Sequence, residues 1–507
     1  MTLPDWVDPL YEAAEMRAVD EWAIEERGVP SLDLMERAGI GLARAVAEVA
    51  HGGPVRVVIG KGNNGGDGLV AARVLREDGY VADVLSVAPL EELQGDARAN
   101  LERLPGDRPL PFEAAALDGS GAVVDALLGT GFSGEPREPV AGAIRAINEQ
   151  EAPVAACDVP SGVDASSGEV HGEAVLAQVT ATFHGSKIGL HVDPGKACAG
   201  QVRVVEIGVP RGAPAPGSAG LISERVLRLV PSRLRDGSKF ASGTVVVAGG
   251  SAGLTGAPSM AALAAMRTGA GYVQLAVPSS VQLVFELKLM EAMTRALPEH
   301  DGGHVPAGVE EVQQLAERAG AIVLGPGLGR TDGAVQFARA VAQSVDKPLL
   351  IDADGLNAHA GMLESLAGRP GPTVLTPHAG ELARLLDSDS SDVAAHRLAR
   401  AREAAERSGC VMMLKGDDSI VAAPGGPVAI SPGASPALAT AGTGDVLSGV
   451  IATLMAKGLG AFEAAAAGVL AHARAGQVAA RRHGADHTVA GDVIEAIPEA
   501  MGKAREA

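Results

Sequence analysis

Short β-branched and apolar runs pass straight into glycine-rich loops and then into helix-type patterns, and they do so repeatedly along this chain. Val55–Ile59 leads into Gly60-Lys61-Gly62-Asn63-Asn64-Gly65-Gly66-Asp67-Gly68 and then the helical Leu69–Leu75. Thr244–Ala248 leads into Gly249-Gly250-Ser251-Ala252-Gly253-Leu254-Thr255-Gly256-Ala257 and a helix to Thr268. Further strand patterns lie at Val81–Leu85, Ala122–Leu128, Val154–Asp158, Tyr272–Val277, Ala321–Leu324, Leu349–Asp352 and Val374–Thr376. Such alternation predicts parallel sheets covered by helices on both faces. The opening residues predict a helix over Thr2–Glu26 and a second over Ser31–Ala50. In a parallel sheet the loops after the strands gather along one edge, where ligands bind.

A chain of 507 residues with 66 glycines is long enough for two such domains. The seam is Val209–Gly220, where Pro and Gly alternate and no apolar period survives. It sets a first domain at 1–212, a linker at 213–220 and a second domain at 221–507. Net charge of −20 and 2% aromatic residues speak against a nucleic-acid partner. No apolar run reaches membrane-spanning length. Three cysteines, Cys157, Cys198 and Cys410, show no paired spacing and read as reduced, buried thiols. With no signal peptide evident at the start, a cytoplasmic location and an assembly of identical subunits are expected.

The densest chemical signal is Ala441-Gly442-Thr443-Gly444-Asp445-Val446-Leu447-Ser448-Gly449. Two glycines let backbone N–H groups approach an anion, the helix start favours a phosphate, and Asp445 faces whatever reacts with it. This suits chemistry between a nucleotide phosphate and a hydroxyl; the alternative is a turn with Asp445 as helix N-cap. Companion loops are Gly325-Pro326-Gly327-Leu328-Gly329, Ile351–Asn357, Thr376-Pro377-His378-Ala379-Gly380-Glu381 and Leu414-Lys415-Gly416-Asp417-Asp418-Ser419. Taken singly, His378 reads as a turn or cap and Lys415 as a solvated charge.

In the first domain, Gly60–Gly68 carries five glycines in nine positions, more than a connecting turn requires, and suits a pyrophosphate. Asp125, before Gly129-Thr130-Gly131-Phe132-Ser133-Gly134-Glu135, and Asp158-Val159-Pro160-Ser161 both end strands. Asn64, Asp125 and Ser161 can therefore meet and offer oxygen ligands to a hard cation.

Together with Ser186-Lys187-Ile188-Gly189-Leu190, these pieces resemble the NAD(P)H-hydrate epimerase domain over essentially residues 1–210. The resemblance implies a Rossmann-like three-layer sandwich that interconverts the R and S epimers of hydrated NADH or NADPH. It implies K+ on Asn64, Asp125 and Ser161. Substrate contacts would come from Asn63, Asn64, Gly65, Gly66 and Asp67, from Gly129, Thr130, Gly131, Phe132, Ser133, Gly134 and Glu135, and from Asp158. Asp158 and Lys187 are the candidates for proton chemistry at the nicotinamide C6, with Lys187 alternatively pairing a carboxylate or phosphate.

Residues 220–505 resemble the ribokinase-like ADP- or ATP-dependent NAD(P)H-hydrate dehydratases. By that resemblance Ala257, Gly327, His378 and Asp445 meet the hydrated cofactor, and Lys415, Gly416, Asp417, Asp418, Ser419 and Gly444 hold the adenine nucleotide. Asp445 is the implied catalytic base. Leu254 and Ser419 depart from the aromatic and the threonine usual there.

The implied reaction phosphorylates the C6 hydroxyl, turning a poor leaving group into a good one, and then eliminates phosphate. ADP, with Mg2+, is the expected donor, leaving AMP and phosphate. The other readings are a ribokinase-like small-molecule kinase with a non-catalytic nucleotide-binding N-domain, and a nucleotide sensor that retains ligand loops.

Overall fold

The computed structural model describes residues 3–233 and 235–502. It divides into two compact units, Pro9–Ala219 and Gly220–Ala507, the latter joined by the stretch ending at Asp8.

The first unit is built on seven parallel strands in the order Leu110–Pro111, Ala82–Ser86, Val55–Ile59, Ala122–Ala126, Val154–Cys157, Val179–Phe183, Gln201–Val205. Side chains alternate across it. Val55, Val57 and Ile59 pack with Leu42, Val46 and Leu69 from the helices Ser31–Val49 and Asn63–Glu77. Val58 and Val123 face Ile144 and Ile147 of the helix Val140–Asn148 on the other side. Helices on both faces of one sheet make the expected three-layer sandwich. From Val55–Ile59 the chain winds first to one side and then to the other, so the strand order reverses between Val55–Ile59 and Ala122–Ala126. The loops after those two strands form the crevice where such folds bind ligands.

The second unit carries an eleven-stranded sheet. Seven strands, from Val411–Leu414 through Thr373–Leu375, Leu349–Ile351, Ala321–Leu324, Thr244–Ala248 and Tyr272–Pro278 to Met293–Leu297, run parallel. Ile420–Ala422 and Val428–Ile430 add an antiparallel pair, followed by Ala219–Ile222 and Val7–Leu10. Val245, Val247, Val323 and Leu350 sit in one core with the helices Gly256–Thr268, Thr443–Ala456 and Ala461–His483. The reversal of strand order here lies between Thr244–Ala248 and Ala321–Leu324.

One element differs from expectation. Of the helix expected over Thr2–Glu26, Thr2 lies outside the described residues, and residues 3–26 do not form one helix: Val7–Leu10 is a strand, Ala13–Glu21 an α-helix, and Trp22–Glu26 a π-helical turn. Pro4 and Pro9 interrupt a helix here, whereas an outermost strand tolerates a proline. Trp6 and Val7 are buried in the second unit's core, where Trp6 lies 5.5 Å from the Phe462 ring. All three cysteines are free and buried. Among the described residues no helix is long and apolar enough to cross a membrane.

Candidate functional sites

The first unit holds a cavity of about 880 Å³ at its crevice. Asn63, Asn64, Asp67, Gly129, Thr130, Gly131, Phe132, Asp158 and Lys187 all line it. The Gly60–Gly68 run is less of a loop than its glycines suggest, because the helix already starts at Asn63 with Gly62 as N-cap. Gly65 and Gly66 lie beneath the cavity wall. A Cβ on Gly65 would collide with the Gly60 carbonyl, and one on Gly66 with Met35. Those glycines let the helix settle on its strand and present its first turn to the cavity. Ser133, Gly134 and Glu135 do not line it.

At its floor, Lys187 is 1% exposed and donates to Asp158 Oδ1 at 2.6 Å, Thr182 Oγ1 at 2.8 Å and the Phe183 carbonyl at 3.0 Å. An ammonium has three protons, so all of them are committed. Asp158 Oδ2 accepts from the Thr130 hydroxyl, and from Thr130 N at 3.2 Å. Burial pushes the Asp158 carboxyl up, but Lys187 and Thr130 more than offset this and hold it below the usual carboxylate range. Its backbone is left-handed, with φ 66°. Lys187 therefore fixes and ionises Asp158, the pairing alternative among its readings.

Asn64, Asp125 and Ser161 come together beside this floor. Ser161 N donates to Asp125 Oδ2 at 2.8 Å and Ser161 Oγ to Oδ1 at 2.6 Å, while Asn64 Nδ2 donates to the Leu128 carbonyl at 2.8 Å. Asp125 is wholly buried, and burial raises its pKa to about 6 against the hydrogen bonds from Ser161 and Leu127. Among the described residues no cationic side chain pairs with it. A buried carboxylate among neutral oxygens suits a hard monovalent cation.

In the second unit the loops following the parallel strands meet in the same way. Gly250 N donates to the Pro326 carbonyl at 2.9 Å and Ser251 Oγ to the Gly327 carbonyl at 3.0 Å, locking the first two glycine-rich loops together. Gly327 has φ 66°, and a Cβ there would collide with the Leu254 backbone carbonyl. Ala257 sits in the first turn of the helix Gly256–Thr268. His378 is an N-cap: its Nδ1 accepts from Gly380 N at 3.0 Å, and Glu381 Oε2 accepts from His378 N at 3.0 Å. With Nδ1 an acceptor, Nε2 carries the ring proton on an exposed edge.

Asp352, which the sequence left without a role, is the hub. It is 1% exposed, with Lys415 Nζ on Oδ1 at 2.7 Å and Ser448 Oγ on Oδ2 at 2.7 Å. The ammonium lies against Gly444, where a Cβ would come within 3.4 Å of Nζ. The lysine is thereby delivered to the anion loop rather than to solvent. Ala353, between Asp352 and Asp354, is forced to φ 50°, a costly conformation that turns the chain between the two carboxylates.

The helix Thr443–Ala456 has Gly442 as N-cap, with φ 91° and no side-chain cap. Asp445 lies at its third position, so it is not the cap. It makes no hydrogen bond or ion pair with the described residues. Burial first, and then Asp352, Glu381 and Asp354 against the opposing charge of Lys415, raise its pKa to about 7. In the rest of the Lys415–Ser419 turn Gly416 and Asp417 are exposed, whereas Asp418 and Ser419 are buried. Asp418 is buried on Arg397 at 2.6 Å, Asp417 Oδ1 accepts from Ala434 N at 2.7 Å, and Ser419 Oγ donates to the Gly416 carbonyl at 2.7 Å.

Two family models match the chain: one described as NAD(P)H-hydrate dehydratase over residues 245–499, the other as YjeF-related protein N-terminus over residues 31–189. The bifunctional NAD(P)H-hydrate repair enzyme Nnr of Salinibacter ruber is 41% identical, over 97% of this chain and 95% of that one. The enzyme of the same name from Moorella thermoacetica is 39% identical over 98% and 97%. This chain belongs to the bifunctional NAD(P)H-hydrate repair enzyme family. A crystal structure of the ADP/ATP-dependent NAD(P)H-hydrate dehydratase from Bacillus subtilis, co-crystallised with ATP/Mg2+, is also similar, at 27% identity and TM-score 0.48, over 56% of this chain and 98% of that one.

Membership in the repair-enzyme family accounts for both halves, a three-layer sandwich on a parallel sheet followed by a second, mainly parallel α/β domain. Asp352 was legible only in part. It directly follows a strand and stands two residues before a second acidic residue, yet nothing in that local pattern says that Lys415, 63 residues on, pairs with it.

Proposed function

We propose that the first unit interconverts the R and S epimers of hydrated NADH and NADPH. We propose that the second dehydrates the S epimer with ADP, releasing AMP and phosphate. The observation that carries the dehydratase reading is Asp445: an unpaired carboxylate at a helix N-terminus, beside a lysine already directed at the same turn. Ionised Asp445 takes the proton of the C6 hydroxyl as that oxygen attacks the terminal phosphate of the nucleotide. The N–H groups of Gly442–Gly444 and the Lys415 ammonium receive the transferring charge. The ring nitrogen lone pair then expels phosphate from C6 to give N1=C6, and loss of a proton from C5 forms C5=C6 and returns the pair to nitrogen, restoring the dihydropyridine.

In the first unit Asp158, kept ionised by Lys187 and Thr130, handles a proton of the C6 oxygen as the C6–O bond breaks, the ring nitrogen forms N1=C6, and water adds back to the other face. Asn63, Asn64, Asp67 and Gly129–Phe132 hold the dinucleotide. Gly65 and Gly66 support that wall from beneath; for Ser133, Gly134 and Glu135 the contact rests on the resemblance. K+ fits the oxygens of Asn64, Asp125 and Ser161, where it would neutralise Asp125 and order the loop from Leu127 to Thr130. Among the described residues no three His, Cys, Asp or Glu side chains converge on a metal-sized point. Mg2+, which favours water and substrate phosphates, would accordingly arrive on the nucleotide.

K+, compared with choline at equal ionic strength, is expected to raise the thermal midpoint of wild type but not of Asp125→Asn. Asp445→Asn is expected to lose dehydration while keeping epimer exchange, and Asp158→Ala the reverse. Chiral chromatography of the hydrates with and without ADP reads both. A stable phosphorylated alcohol as end product would favour a small-molecule kinase instead.

A further inference from the structure

The helix Ala13–Glu21 and the turn after it present Ala13, Met16, Arg17, Asp20 and Ile24 to the first-unit cavity. These positions follow helical spacing, so one face of the element forms that wall. Most of the face is apolar, and Asp20 is its one carboxylate. Asp20 is partly buried, and among the described residues it makes no hydrogen bond or ion pair. A carboxylate withdrawn from water without a partner needs a reason. The Asp158–Lys187 pair lines the same cavity from the strand ends.

We propose that Asp20 is a second proton-transfer residue of the epimerisation, working with Asp158 across the hydrated nicotinamide. The inference rests on the epimerase reading given above. In one direction the Asp20 carboxylic acid gives its proton to the C6 hydroxyl. The C6–O bond breaks with its electron pair leaving on water, and the ring nitrogen lone pair forms N1=C6. Water then adds to C6 on the other face, the N1=C6 pair returns to nitrogen, and the Asp158 carboxylate takes the proton from that water. The reverse direction exchanges the two roles, and solvent resets the protons. No oxidant or further reactant is needed.

The environments of the two carboxylates differ in the sense this division requires. Burial raises the Asp20 pKa, Lys187 opposes it, and Asp158 and Glu21 add to the rise, giving about 6. Asp158 is held below its ordinary range. The charged groups around Asp20 are Arg17 and Glu21 on its own helix, Asp67 on the helix Asn63–Glu77, and Asp158 and Lys187. Asp67 is buried and pushed well above the usual range by burial, then by Asp158 and Asp20. Farther out on the cavity lining, Lys61 is paired with Glu92, and Asp96 completes the set.

The test is epimer exchange on NADH hydrate without nucleotide, followed against pH for wild type, Asp20→Asn and Asp20→Glu, with thermal unfolding recorded alongside. For Asp20→Asn, kcat is expected to fall about 100-fold or more, with KM changed less than about threefold and the alkaline limb of the pH profile abolished. Asp20→Glu should recover a substantial part of kcat, with that limb displaced. Unchanged kcat and pH profile in Asp20→Asn would overturn the inference. So would a loss confined to KM, which would make Asp20 a binding group, or a Glu variant that folds yet is no better than Asn. Absence of exchange in wild type would instead sink the epimerase reading itself.

Discussion

Asp445 carries two consequences that pull against each other. As a base it must be ionised, so dehydration should rise with pH through about 7 and then level off. Its pKa in the folded chain stands above its unfolded value of 3.8, so its contribution to stability is full below that value and is lost as pH rises through about 7. The ionisation that makes the site work therefore destabilises it. Asp445→Asn is expected to show a higher thermal midpoint than wild type at pH 8, little difference at pH 4, and no dehydration at either. A lower midpoint at pH 8 would contradict the site as described. Lys187 has the opposite character, because it holds a buried charge in place. Lys187→Met should leave Asp158 without its cation, cost about 3–5 kcal/mol in denaturant unfolding, and raise the Asp158 pKa.

At the scale of elements, glycines set how closely helices approach what lies under them. The helix Thr443–Ala456 crosses Gly256–Thr268 so closely that a Cβ on Gly449 would collide with the Ala261 carbonyl. Gly449→Val is expected to cost about 1–3 kcal/mol or more and to move the anion loop at the helix start, lowering dehydratase kcat. Urea unfolding and a rate assay read both effects. Most of the strands were legible because they are short, buried and apolar: Val55–Ile59, Thr244–Ala248 and Ala321–Leu324 fall where their β-branched runs end. The helix expected over 2–26 failed because its apolar pattern answers to different neighbours. Val7 packs in the second unit's core, whereas Met16 lines the cavity of the first. Loop chemistry was legible where several residues are spent on one ligand, as at Gly442–Asp445. Asp20 was not, since one aspartate on an amphipathic helix looks like any solvated charge. Nor was the inward pairing of Asp418 with Arg397 visible, for it depends on contacts between segments 21 residues apart.

For the whole molecule, the two activities are tied by stereochemistry. A site that aligns one C6 hydroxyl with a phosphate cannot align its mirror arrangement. The dehydratase alone would stop when the S epimer is spent, and the epimerase alone would only equilibrate the mixture. One chain with both needs only the phosphoryl donor to return every hydrate molecule to NAD(P)H. This also separates the repair reading from a kinase with a binding domain, whose product would accumulate as a phosphate ester. The direct measurement gives the purified chain a mixture of R and S NADH hydrate with excess ADP and Mg2+ in K+ buffer and follows dihydronicotinamide absorbance to its end. Wild type is expected to restore the absorbance of the whole mixture, and Asp158→Ala to slow sharply once the S fraction is consumed. Wild type stopping at the S fraction, or restoring nothing, would contradict the account.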